Sequence, residues 1–276
     1  MVFDGFRFDS GLTLLTMPLV LEDLFKLFDK KSENYLSIRK LESICKYFFS
    51  DGTELTAYSD INKLSEEIQA KTNENVNSVR KYFDYSKQIY DLTADLFLKK
   101  SFSELSSFLN FHSLKTLFSV NKIDAFRTMH QANTDFFSDK RLVQLFDRYT
   151  TYNGSNPFKA PATLNIIQHV EYGIGGYLPE NGIADVPKSL FELAKKVGVN
   201  FWFNNKIENI IRDKNNFVKG LTVISNSGSS EKKFDVVLSN ADVNFTYKKL
   251  LNDASSKQAV KYKKYEPSTS ALVFYW

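Results

Sequence analysis

The sequence predicts a mixed α/β fold, α+β in part, with two interleaved domains that are incomplete at both ends. Three observations carry this. From about residue 60 to 149, apolar residues recur at helical spacing in segments joined by short polar links. From Asp185 the pattern changes to one helix followed by short apolar runs separated by Asn, Ser and Gly. Both ends carry strand-like runs, and the last, Ala271–Trp276, would leave backbone and large side chains exposed together. Residues 1–30 and 175–250 are assigned to one domain and 31–174 to a largely helical one, to which 251–276 returns.

In chain order, Phe6–Asp9 reads as the end of a strand, with Gly11 as the turn. Met17-Pro18 leads into a helix over Leu19–Phe28, whose Leu21, Leu24, Phe25 and Phe28 share one face. Leu36–Phe49 and Leu55–Tyr58 have strand content, with the hairpin signal Asp51-Gly52 between them. Helices are expected over Asp60–Ala70, Val76–Leu98, Phe102–Val120, Asp124–Asn133 and Asp139–Tyr149, and a further apolar helix over Leu164–Val170. Asp185 reads as an N-cap, Pro187 lies in the first turn, and Gly198 stands where a C′ glycine belongs. Phe201–Phe203, Ile207–Arg212, Val218–Ile224 and Phe234–Leu238 are expected as strands, with turns at Asn215-Asn216 and Ser225–Ser230. Lys248–Lys264 reads as a Lys-rich helix and loop, and Glu266–Trp276 as a returning strand.

The composition, 43% hydrophobic and 15% aromatic with 25 Phe, excludes a disordered chain and suits an aromatic-lined apolar cavity. A Phe-rich core accounts for the same residues without a ligand. The net charge of +4 is too mild and too scattered to point to nucleic acid. The single cysteine, Cys45, excludes an internal disulfide and suits a reducing cytosol. No apolar run reaches the roughly 18–20 residues of a membrane span. His112, His130 and His169 have no His or Cys neighbour at ligand spacing, so no metal site is expected.

Four separated segments, in order, resemble one family: Gly5–Pro18 (GFRFDSGLTLLTMP), Leu142–Val199, Asp235–Val243 (DVVLSNADV) and Glu266–Trp276 (EPSTSALVFYW). The chain is similar throughout to the bacterial-type phytoene desaturases, FAD-dependent members of the amine-oxidase-like flavoprotein superfamily. No G-x-G-x-x-G occurs, and the nearest cluster, Gly173-x-Gly175-Gly176, lacks the third glycine. The chain is therefore read as an internal fragment without that family's pyrophosphate turn.

The resemblance implies dehydrogenation of phytoene toward lycopene by hydride transfer to FAD, with a quinone or oxygen as final acceptor. It assigns 1–30 and 175–250 to the FAD-binding domain, and 31–174 to a substrate-binding, membrane-facing one. It implies that Asp9, Ser10 and Gly11 pass the isoalloxazine, that Ile207 faces the adenine, and that Asn240 and Ala241 end a strand beside the cofactor. Leu12 stands where the family usually has proline. Glu104 is the family's acidic residue near the substrate, and so the expected acid/base group. An acidic residue in a helix's first turn also complements the dipole, and the spacing does not separate the two roles. Asp147-Arg148, the runner-up, reads equally as an ion pair. The Phe- and Lys-rich stretch Phe97–Ile123 would meet the membrane surface, giving a cytoplasmic, peripherally bound enzyme. Other activities on the scaffold remain open: a C30 carotenoid desaturase, a carotenoid isomerase, a retinoid saturase, or a silent lipid-binding fragment.

Overall fold

The structure, a computed structural model, describes residues 2–9, 11, 13–99, 123–268, 270, 272 and 274. The expected helix at 102–120, Ser10 and Glu104 lie outside the described residues, as does most of 97–123. The chain divides into two compact units, Met1–Val197 with Ser268–Trp276, and Gly198–Pro267. Mixed helices and antiparallel sheets make up both, as the fold class anticipates.

The first unit opens with a two-residue hairpin, β1 (Val2–Phe3) and β2 (Phe6–Arg7), turned by Asp4 and Gly5 at positive φ. Strand β3 (Leu15–Thr16) precedes helix α1 (Pro18–Lys26), which has Pro at its first position, where no N–H partner is lost. Phe25 packs on Tyr35, but Leu24 and Phe28 of the expected apolar face are exposed. β4 (Ile38–Lys40), β5 (Ser43–Phe48) and β6 (Glu54–Tyr58) follow, with β5 and β6 paired about the Asp51-Gly52 turn. Leu55 and Ala57, two apart on β6, point to the core as a period of two requires.

Helix α2 (Ile61–Lys71) starts where Asp60 accepts the N–H groups of Asn62 and Lys63. Its Leu64 and Ile68, and Val79, Tyr82 and Phe83 of α3 (Val76–Lys99), lie at the three- and four-residue steps of a buried helical face. The next helix, α4, is Met129–Phe136 rather than Asp124–Asn133. Asp124 adopts a left-handed φ of 52°, and Thr128 forms a capping box with Gln131, so the helix starts after it. α5 (Lys140–Asp147) is capped by Asp139 and runs into a 3-10 turn, Arg148–Asn153.

The apolar helix near 164–170 is a composite: a 3-10 turn (Ala162–Asn165), one α turn, α6 (Ile166–Gln168), and a π turn (His169–Ile174). β7 (Gly176–Pro179) then lies between β3 and β4, antiparallel to both. α7 (Asp185–Lys196) follows, with Ala184 at the cap and Asp185 as first helical residue; Gly198, at φ 91°, follows the C-cap Val197.

The second unit is an antiparallel meander of β8 (Lys206–Arg212), β9 (Val218–Ser225) and β10 (Gly228–Lys233). It differs from expectation in three places. Phe201–Phe203 is a loop whose Phe201 and Phe203 rings stack at 5.7 Å. β10 takes up the second half of the expected Ser225–Ser230 turn, because Gly228 at φ 113° closes a tight hairpin and backbone pairing with β9 needs no apolar side chains. Phe234–Leu238 forms no strand: the Phe234 N–H still donates to the Lys219 oxygen of β9 at 3.1 Å, but Val236 and Leu238 are exposed. α8 (Val243–Phe245) continues as a π turn over Thr246–Leu250, and α9 (Lys257–Lys263) lies within the expected 248–264 segment. No strand forms at 266–268, 270, 272 or 274.

Candidate functional site

The first unit contains an apolar cavity of about 600 Å³. Leu164, Ile166, Ile167 and Val170 of the composite helix line it together with Met17, Ile123, Ala125 and Pro161, and Thr16, Asn153 and Thr163 add polar groups. Two ionisable side chains reach this surface, Glu171 and Tyr152.

Glu171 is 1% exposed. It sits within the π turn, which widens the helix by one residue per turn, a feature that recurs at functional sites. Its two oxygens are held from the 3-10 turn. Three residues per turn set Tyr149 and Tyr152 one above the other, with rings 5.9 Å apart. Tyr149 donates its O–H to Glu171 Oε1 at 2.7 Å, and Tyr152 donates to Oε2. The Tyr172 hydroxyl lies 2.7 Å from that of Tyr149. Arg148 completes the cluster, with Nη2 donating to the Tyr47 hydroxyl at 2.8 Å and its guanidinium 4.6 Å from the Tyr149 ring centre. Burial pushes the Tyr149 and Tyr172 phenols well above their usual range. Burial raises Tyr152 too, and its bond to Glu171 adds to that. All three therefore stay O–H donors through neutral pH. The arrangement is a buried carboxylate, supported by neutral donors, set in an apolar wall.

The residues singled out in the sequence are placed as follows. Asp9 is half-buried and its Oδ2 accepts the Ile183 N–H at 2.9 Å, tying the N-terminal segment to the loop before α7. Gly11 is exposed, and a Cβ there would meet no described atom within 4 Å. Ile207, Asn240 and Ala241 come together in the second unit, lining a cavity of about 290 Å³ with Ile210, Leu221 and Leu250. Asp147 and Arg148 do not pair with each other. Asp147 accepts from Asn133 Nδ2 at 2.8 Å and lies 2.6 Å from His130 Nδ1, while Arg148 turns to the tyrosines. His169 packs half-buried on Tyr90 at 4.8 Å, as a structural histidine does. No metal-holding group forms among the described residues.

Glu171 was missed by the sequence reading. Its signal is a single acidic residue between Val170 and Tyr172, one step past the expected end of an apolar helix.

No protein-family model matches the chain. It is 37% identical over 272 residues to a 1-hydroxycarotenoid 3,4-desaturase of a Flavobacterium species, covering 99% of this chain and 54% of the relative. It is 27% identical over 272 residues to a 4,4'-diaponeurosporene oxygenase of Staphylococcus haemolyticus, covering 99% and 53%. The chain thus spans about half the length of the curated relatives it matches. Among solved structures, an oxidoreductase from Methanosarcina mazei aligns with a TM-score of 0.42 at 19% identity, over 60% of this chain and 40% of that one.

Proposed function

We propose that this chain, which belongs to the carotenoid desaturase family, supplies the substrate cavity of an FAD-dependent carotenoid oxidoreductase. The observation that carries the reading is the apolar cavity of the first unit, with Glu171 buried in its wall. A long hydrocarbon needs an apolar, water-free channel, and its dehydrogenation needs few polar groups. The finer reading is desaturation of phytoene toward lycopene. The relative named as an oxygenase favours a second reading, oxygenation of a carotenoid in the same cavity.

The residues present fit one end of FAD. The second unit's cavity is lined by apolar side chains, Ile207, Ile210 and Leu221 among them, together with the polar Ser239 and Asn240, a mix that suits a heteroaromatic ring. Ile207, Asn240 and Ala241 would hold it there; Asp9, Ser10 and Gly11 keep the isoalloxazine contacts that the resemblance implies. The glycine turn that would clamp the phosphates is not in this sequence. When bound, the flavin would supply hydride acceptance. The chain's own part is to orient the hydrocarbon, exclude water and hold a carboxylate at the cavity wall. Glu104 is retained as the proposed acid/base residue. Reoxidation by a quinone or oxygen and peripheral attachment to the membrane belong to the same proposal. No described helix is long and apolar enough to cross a membrane.

The test is expression of the chain, completed to the length of its relatives, in cells supplied with phytoene. Coloured polyenes with added double bonds are expected. Unchanged phytoene, beside flavin-loaded and folded protein, would overturn the reading.

A further inference from the structure

One unit carries the positive charge of this chain. Gly198–Pro267 holds twelve Lys and Arg against seven Asp and Glu, a formal +5, whereas the whole chain is +4. The excess gathers in Lys248–Lys264, which has six lysines, Lys248, Lys249, Lys257, Lys261, Lys263 and Lys264, and a single acidic residue, Asp253. Asp253 is taken by Arg212 at 3.1 Å. All six lysines are exposed, and among the described residues none of them pairs with a carboxylate.

Helix α9 orders part of this charge. Lys257, Lys261 and the C-cap Lys264 follow at four- and three-residue steps, so they share one stripe of the helix with Val260. Ala259, on the other side, is buried. Like charges at this spacing repel, and Lys257 in the first turn also opposes the helix dipole. The rings of Tyr247 and Tyr262 lie 6.0 Å apart, which brings the π turn with Lys248 and Lys249 against α9 and adds to the same field. An anionic partner outside the chain would relieve that repulsion. Val260 is 46% exposed between the lysines, and Tyr265, just past them, is 59% exposed. A nucleic-acid phosphate backbone offers nothing to an isopropyl group. The headgroup–acyl boundary of a bilayer takes both an apolar side chain and a tyrosine ring.

We infer that the stripe of Lys257, Val260, Lys261 and Lys264 docks the protein on a bilayer that contains anionic phospholipid. The inference deepens the peripheral attachment proposed above by giving it a charge-dependent contact in the second unit. The lysines meet the headgroup phosphates, and Val260 and Tyr265 enter the boundary beneath them.

The experiment is flotation of the purified chain with vesicles of phosphatidylcholine alone, and of phosphatidylcholine mixed in equal parts with phosphatidylglycerol. The wild-type chain is expected to bind the anionic vesicles on the order of a hundred-fold more tightly, and to leave them as salt is raised. Replacing Lys257, Lys261 and Lys264 together by Gln is expected to remove most of that preference, at about five-fold per lysine. Should the triple variant fail to fold, Lys261→Gln alone reads the same stripe at about five-fold. Gln at the exposed Lys30, Lys31 and Lys81 of the first unit removes equal charge and is expected to leave the preference in place. Equal binding to both vesicles overturns the inference and leaves peripheral attachment standing. Equal losses from the two triple variants overturn it as well, since net charge alone would then account for the binding. Duplex DNA bound as tightly as the anionic vesicles at the same salt would assign the stripe to nucleic acid and overturn it too. If the chain floats with neither vesicle, peripheral attachment falls, and this inference with it.

Discussion

Removing one oxygen atom, in Tyr82→Phe, should soften the whole helical unit. Tyr82 is fully buried, with the rings of Phe146 at 4.5 Å, Phe137 at 4.9 Å and Phe136 at 5.3 Å. Its hydroxyl lies 3.1 Å from Asn165 Oδ1 and 3.2 Å from Asn133 Oδ1, so one proton joins α3 to α4 and to the composite helix. Phe keeps the ring contacts and deletes the donor. Two buried amide oxygens then lose a partner, at a cost of about 1–3 kcal/mol. In a unit of this size each kcal/mol moves Tm by about 2–4 °C, so a fall of roughly 2–12 °C is expected. Tyr82→Ala also removes the ring and should cost about 3–5 kcal/mol. Phe126→Ala, at a position 81% exposed, should stay within about 0.5 kcal/mol. Scanning calorimetry on the three variants makes the comparison. An unchanged Tm for Tyr82→Phe would refute the claim that this hydroxyl ties the three elements together.

Other outcomes follow from single sites. Gly220→Ala would set a Cβ 2.0 Å from the backbone oxygen of Lys232, so the second unit's amides should lose hydrogen-exchange protection; unchanged protection would contradict the β9–β10 register. Burial lowers the His169 pKa from its ordinary 6.5, with Lys87 adding to this. A depressed folded value contributes stability above the unfolded pKa that is lost as pH falls through the folded one. His169→Gln should therefore flatten the decline in Tm below about pH 6.5, and an unaltered slope would assign that decline elsewhere. Without a G-x-G-x-x-G turn, the chain should retain little FAD through gel filtration; stoichiometric flavin would show that the second unit's cavity suffices alone.

The parts of the fold legible in the sequence are those where side chains and backbone ask for the same thing. Asp60 caps α2, Leu64 and Ile68 repeat at a helical step, and Leu55 and Ala57 alternate on β6, each readable locally. β10 was hidden because its residues, Gly228–Lys233, are polar and exposed on both faces, and only backbone pairing to β9 makes them a strand. Phe234–Leu238 misled in the opposite sense: strand-like side chains do not make a strand without a neighbour to pair with. That Ile207, Asn240 and Ala241 line one cavity was not legible, since a period-two pattern does not say which segments meet. Glu171 was illegible for a geometric reason. Its place on the cavity wall depends on a π turn and on Tyr149 and Tyr152 eclipsing in a 3-10 turn, and neither shows in hydrophobic spacing.

The central claim is that the first unit's cavity holds a carotenoid, and carotenoid retention measures it most directly. The chain would be purified from phytoene-producing cells, extracted with solvent, and its bound polyene quantified by chromatography. Ala125→Trp, which puts an indole into the cavity wall, serves as the blocked form, with its Tm checked against the wild type. Near-stoichiometric phytoene on the wild-type chain, with little on the folded Ala125→Trp variant, is the expected result. Equal phytoene on both, or none on either, would contradict the account.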